Sequence, residues 1–296
     1  MIADALAARR RAGLGAGLTV LAMFCFASMD AVSKALVVAY PVAQMLWVRY
    51  AFFALFALAI AGRAGTRRAL RPARPGLQFL LAMVSLLEGG VFVLAFAYLP
   101  LADTHALAAT SPLMVVALSY LILGERADLA RWCAVAAGFL GVLLIVRPGF
   151  MAISWTILLP LLAAFLWGLY QVLARLAAAT DPAETTLVWV AWGGLAVAAA
   201  LGSGQWVAPD AWGWACLFLI ALLGTAGHYA LLQALNHADA SAIQPFGYFL
   251  LVWATVLGGL FFGQFPDAWT LLGAGIIILS GLYAWVQERR RDAGAR

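Results

Sequence analysis

An aspartate and the chain's only lysine stand four residues apart in "FASMDAVSKALVVAYP" (26–41), inside an otherwise apolar run. Asp30 precedes Lys34, the favourable order for an intrahelical ion pair. In lipid such a pair must face other helices or the membrane edge, and Lys34 lies near enough to the end of the run for its stem to reach outward. Two readings stay open: an outer gate, or a self-neutralised structural pair. Glu88, in "SLLEGGVFVLAF", has no basic residue on its own stretch. A carboxyl so placed binds a substrate amino group or carries a proton, or else it sits protonated against a neighbouring helix. His228, followed by Tyr229, reads as a proton relay or a satisfied hydrogen-bonder. His105 admits the same two roles, and His237 is placed in a loop.

The remaining reactive residues exclude other chemistries. Three histidines and three cysteines are scattered along 296 residues with no metal-ligand or catalytic spacing, so neither a metal, a cofactor nor an enzyme activity is expected. Cys25, Cys133 and Cys216 read as small core residues.

What must position these groups follows from composition. Hydrophobic residues make up 66% of the chain and charged ones 10%, far from the quarter or so of charged residues in a soluble domain. A membrane span needs about 17–25 apolar residues. The chain divides into ten such stretches, near 14–38, 42–61, 77–97, 103–122, 128–147, 155–178, 185–202, 212–235, 240–262 and 269–287. The first follows "ARRRAG" but is too long for a cleaved leader and is expected to remain. The expected fold is all-α and integral to the membrane, with ten transmembrane helices.

Ten spans put both termini on one side. That side then holds 15 of the 18 Lys and Arg residues, against Lys34, Arg49 and Arg147 elsewhere. The bias predicts cytoplasmic termini in a bacterial-type inner membrane. It also accounts for the net charge of +5 without a nucleic-acid partner.

The sequence repeats. "MDAVSKALVVAYP" (29–41) aligns with "YQVLARLAAATDP" (170–182), matching Lys34 to Arg175 and Pro41 to Pro182. "LLEGGVFVLAFAYLPLADTHAL" (86–107) aligns with "LLGTAGHYALLQALNHADASAI" (222–243), placing His228 opposite Phe92, and "LILGERADL" (121–129) with "LFFGQFPDA" (260–268). The matches are collinear, giving a first repeat over 1–150 and a second over 151–296. Five spans per copy is an odd number, so the second copy enters the membrane from the opposite side. Inverted repeats of this kind are typical of transporters.

Pro112 and Pro245 interrupt corresponding spans of the two copies. Each lacks an N–H and frees a carbonyl one turn earlier, and irregular backbone at that depth is tolerated where protein or a wet cavity satisfies it. Both are read as gating positions, with Asp30, Lys34 and Arg175. Ser111, Thr110, Gln244 and Tyr248 adjoin the interruptions and could contact substrate. Trp167 and Tyr170, with Met29 and Phe26, offer an aromatic and thioether lining. The candidate binding set is therefore Met29, Glu88, Phe92, Ser111, Trp167, Tyr170, His228, Tyr229, Gln244 and Tyr248.

Ten spans as five plus five, "DAVSKAL…P" in the first, "ADTHALAATSPL" opening the fourth and "LGERADLARWCAVAAGFLGVLLI" in the fifth resemble the EamA-type branch of the drug/metabolite transporter superfamily. The likeness covers nearly the whole chain, although the second copy has Gly263-Gln264 where the first has "GE". It implies a central cavity lined by spans 1, 3, 4, 6, 8 and 9, with 5 and 10 peripheral. It also implies carriage of neutral or aromatic amino acids, vitamins such as riboflavin, nucleoside-like metabolites or sugars. The leading expectation is export of neutral or aromatic amino acids by alternating access, with riboflavin or nucleoside-like cargo and uptake as the alternative. The expected partners are a small-molecule substrate and the lipid bilayer. A proton stays a candidate coupling ion, and monomer and homodimer both stay open.

Overall fold

A computed structural model describes residues 2–64, 70–124, 129–146, 155–202, 204, 206–237 and 244–294. The chain runs through α1 (Ile2–Leu36), α2 (Val42–Ala64), α3 (Pro75–Tyr98), α4 (Leu101–Ala108), α5 (Ser111–Leu118), a π-helical turn (Ser119–Leu123) and α6 (Leu129–Val146). A 3-10 turn (Trp155–Ile157) leads into α7 (Leu158–Ala178), α8 (Ala183–Gly202) and α9 (Ala211–His237). A second 3-10 turn (Gln244–Tyr248), α10 (Phe249–Phe262) and α11 (Ala268–Gly294) complete it.

The fold is all-α. Among the described residues, seven apolar segments are long enough to cross a membrane, and three shorter ones, Val135–Val146, Phe246–Phe262 and Ala268–Tyr283, fall in the rest of the ten apolar stretches. Span 4 is divided as Pro112 requires: α4 ends at Ala108 and α5 restarts at Ser111. At the break the Thr110 hydroxyl donates to the Leu107 carbonyl at 2.7 Å. In span 9 the turn over Gln244–Tyr248, which contains Pro245, is 3-10 rather than α.

Local features recur at the offsets where the sequence aligns. The Pro41 carbonyl accepts from the Gln44 N–H at 3.0 Å and the Pro182 carbonyl from the Thr185 N–H at 3.0 Å, each starting the following helix. Gly124 and Gly263 both end their helices with positive φ, 68° and 63°, the left-handed cap that glycine adopts without a Cβ clash.

Packing repeats as well. α1 lies along α9 and α7 along α3; α1 meets α10 as α7 meets α5; α3 meets α8 as α9 meets α2; α2 pairs with α8 and α6 with α11. Exchanging each span of one half with its counterpart maps every one of these pairs onto another or onto itself, the pattern that a two-fold axis produces. Small residues allow the approach, since lipid offers no hydrophobic drive between helices. A Cβ on Gly224 would lie 2.9 Å from Met29 Sδ, and one on Gly141 would lie 2.7 Å from the Gly273 carbonyl oxygen, so α6 and α11 touch backbone to backbone.

The two halves are also tied at each end. Gln44 donates Nε2 to the Val207 carbonyl at 2.7 Å and accepts the Val207 N–H at 3.0 Å. At the other end Asp181 accepts from the Ala73 N–H at 2.6 Å and from Gln78 Nε2 at 3.0 Å. Burial works to raise the Asp181 pKa, but the bonds from Ala73, Gln78 and the Arg74 backbone hold it below the usual carboxylate value.

Candidate functional site: an ionisable cluster at mid-span

Glu88 lies ten residues before the end of α3, about 15 Å into the span at 1.5 Å per residue. It nonetheless keeps some accessible surface. Its electrostatic neighbours are Arg49 of α2 and Asp30 of α1. A Cβ on Gly89 would stand 3.6 Å from Arg49 Nη1, which places the guanidinium against α3 beside Glu88. The Arg49 guanidinium carbon also sits 5.9 Å from the Tyr50 ring centre, and the Tyr50 hydroxyl lies 3.1 Å from Ser85 Oγ. Sequence reasoning missed Arg49, using it only in the charge count. Its signal was available: a lone arginine in "MLWVRYAFF", seven residues into an apolar span, with Glu88 lacking a partner elsewhere.

The structure gives Asp30 and Lys34 different partners, correcting their reading as a mutual pair. The Lys34 ammonium donates to the carbonyls of Phe96 at 2.8 Å and Leu99 at 2.6 Å, the last turn of α3, where orphan carbonyls and the helix dipole favour a cation. Asp103 is its electrostatic neighbour. Asp30 is buried and places Oδ2 3.3 Å from His105 Nε2. His105 is packed between Phe92, at 5.1 Å, and Phe96, at 5.9 Å.

On the other side of the cluster, His228 bonds Nδ1 to the Gly224 carbonyl of its own helix at 2.7 Å. Its ring meets Phe26 at 4.9 Å and Phe53 at 5.5 Å, and Arg49 is within electrostatic reach. Tyr170 is the electrostatic neighbour of Tyr50 and Glu88 and stacks on Trp167, ring centres 5.6 Å apart at 17°. Glu88, Phe92, Trp167, Tyr170 and His228 are thus brought around one region, with Asp30, His105, Tyr50 and Arg49.

Other candidates lie apart. Met29 is buried in a cluster with Cys216, Leu217 and Ile220. Tyr229 points the other way from His228, is 45% exposed and takes a hydrogen bond from Gln233 Nε2 at 2.7 Å. The Tyr248 hydroxyl packs against Gly281 of α11. Ser111 opens α5 half-buried, and Arg175 is exposed in the last turn of α7. The side chains of Pro112, Gln244 and Pro245 lie outside the described residues. Cys133 is exposed rather than core, and His237 ends α9 rather than sitting in a loop, its Nδ1 2.7 Å from the Gln233 carbonyl oxygen. Two shallow apolar hollows, one around Trp189 and Trp192 and one around Cys133 and Tyr283, contain none of the cluster.

The EamA-like transporter family model matches the chain twice, over residues 13–147 and 154–285. The chain belongs to that family. It is 34% identical to a riboflavin transporter of Rhizobium johnstonii, over 95% of this chain and 94% of that protein. It is 30% identical to the pseudopaline exporter CntI of Pseudomonas aeruginosa PAO1, over 90% and 94%. An S-adenosylmethionine uptake transporter of Rickettsia conorii is 24% identical over 93% and 94%. One solved crystal structure shares the fold, with a TM-score of 0.64 at 18% identity over 95% of this chain and 98% of that one. This EamA-family chain is therefore a multi-pass membrane protein of a transporter family, with its interior charges gathered where its two halves meet.

Proposed function

We propose that this EamA-family protein is a secondary carrier of a small, flat, polar-edged metabolite of the riboflavin kind, working by alternating access in a bacterial-type inner membrane. The observation that carries the substrate is the 34% identity to a riboflavin transporter along nearly the whole of both chains. The cluster has the matching chemistry: aromatic faces at Trp167 and Tyr170 for a planar ring, with donors from Arg49 and an acceptor at Glu88 for its polar edge. The halves are inverted five-span repeats over 1–150 and 151–296, supported by the paired Pro41/Pro182 turns, the Gly124/Gly263 caps and the exchange-symmetric packing. Both termini face the cytoplasm, supported by the arginine bias.

A second reading keeps the expected export of aromatic amino acids. Arg49 within electrostatic reach of Glu88 favours it, because a guanidinium and a carboxylate in one region complement the two charges of a zwitterion.

Counterflow in proteoliposomes separates the two. Labelled riboflavin exchanging against unlabelled riboflavin, with aromatic amino acids inert, supports the first; the reverse supports the second; neither exchanging overturns both. Glu88→Gln and Trp167→Ala are expected to lower exchange at least tenfold while folded protein stays abundant. Unchanged exchange in both variants removes the proposed site.

A further inference from the structure

We propose that Asp30 and His105 form a proton-binding pair that couples substrate movement to the proton gradient. Asp30 Oδ2 and His105 Nε2 stand 3.3 Å apart, both residues are over 95% buried, and Nε2 has no hydrogen-bond partner in this arrangement. A buried polar nitrogen without a partner is costly. A neutral imidazole can already turn its one N–H toward the carboxylate; one further proton is then held between the two groups, as an imidazolium facing a carboxylate or as a carboxyl O–H facing a ring nitrogen. The pair is thus built to hold a proton, and it sits where Phe92 and Phe96 exclude water from the ring.

The surrounding charges set the same requirement. α1 contributes Lys34, α2 Arg49, α3 Glu88, α4 Asp103, α7 Tyr170 and Arg175, and α9 His228, while α10 (Phe249–Phe262) contributes no titratable residue. Lys34 has Asp103 as its electrostatic neighbour and is held by two carbonyls. His228 is bonded within its own helix, and Arg175 is exposed at the far end of α7. That leaves Glu88 with Arg49 and Asp30 as its electrostatic neighbours: two carboxylates and one guanidinium. Counted ionised, with His105 neutral, the group carries one negative charge too many for a low-dielectric interior, and a single proton balances it. The proton is taken from water in the compartment to which the pair is exposed and returned to water in the other. An N–H or O–H bond forms on entry and breaks on exit, and no other reactant is consumed.

The transport arm rests on the carrier reading above; the binding arm needs no substrate. With only three histidines in the chain, nitrogen-15 histidine resonances can be assigned with His105→Gln and followed through a pH titration of the purified protein. His105 is expected to change protonation in one step whose midpoint moves by about one pH unit or more in Asp30→Asn, the usual effect of removing a facing charge. An imidazole that never changes state between about pH 5 and 9, or one whose titration ignores Asp30→Asn, overturns the proposal. In proteoliposomes an imposed pH gradient is expected to drive labelled riboflavin at least fivefold above equilibrium, and His105→Gln or Asp30→Asn to abolish that accumulation. Riboflavin that exchanges in counterflow yet ignores the gradient overturns the coupling while leaving the carrier intact. If riboflavin fails to exchange at all, the substrate reading falls and the titration alone decides the pair.

Discussion

Asp181 reaches across the chain to Gln78, its Oδ2 accepting from Nε2 at 3.0 Å while Oδ1 accepts the Ala73 N–H at 2.6 Å. One carboxylate thereby joins the turn before α8 to the turn before α3. Gln44 and Val207 make the corresponding tie at the opposite end. The two differ in chemistry: one needs a charge and the other does not.

Only the Asp181 tie should respond to acid. Its carboxyl is held below the usual value by hydrogen bonds that outweigh burial. Its stabilisation is therefore complete above the ordinary carboxylate range, about pH 4, and is lost as pH falls through the lower folded value. Asp181→Asn is expected to cost about 1–3 kcal/mol at neutral pH and to flatten the acid limb of a thermal-stability profile. A variant with the same acid limb as the parent would show that the tie contributes nothing.

Arg49 and Glu88 should behave as a unit. Two opposite interior charges within electrostatic reach offset each other, so removing one alone leaves the other uncompensated, whereas replacing both by neutral groups of similar volume is often tolerated. Arg49→Met is expected to lower folded yield more than the double variant Arg49→Met with Glu88→Gln does. Thermal melts of the four proteins in a double-mutant cycle give the coupling. Strict additivity would place the two side chains out of contact.

Lys34 caps α3, and the geometry asks for donors as well as charge. Lys34→Met leaves the Phe96 and Leu99 carbonyls without it and should cost about 1.5–3 kcal/mol, the range for a charged hydrogen bond. Lys34→Arg should recover part of that loss. Equal melting temperatures for all three would reduce the contacts to coincidence.

At the α6–α11 seam a side chain has nowhere to go. Gly141→Val and Gly273→Val each drive a Cβ into the facing backbone and should cost about 1–3 kcal/mol or more, read as lost folded yield. Gly275→Val, which meets nothing within 4 Å, is the control and should be silent. A stable Gly141→Val protein would mean the seam opens freely.

Much of the fold was legible because lipid imposes a simple rule: apolar runs of fixed length, broken by Pro, Gly and charge. The span boundaries, the interruption at Pro112 and the paired Pro41 and Pro182 turns all followed from it. Side-chain partners were harder to read. Asp30 and Lys34 look like a pair in one dimension because helical spacing is the only contact a sequence displays; their partners, His105 and the end of α3, lie 75 and more than 60 residues away. Tyr229 and Tyr248 failed to join the cluster for a related reason, since an aromatic in an all-apolar helix gives no sign of which face is inward. Arg49 was missed because a count of loop charges treats every arginine as a marker of sidedness.

The ammonium fastened to Phe96 and Leu99 is also the sole side-chain amine in the chain. Apart from a free N-terminal amine, acylating reagents of the N-hydroxysuccinimide type therefore have one amine to attack, and they attack it when it lets go of α3. The speed of that one modification is a built-in stopwatch for how often Lys34 leaves the end of α3, readable by mass spectrometry with no label engineered into the molecule.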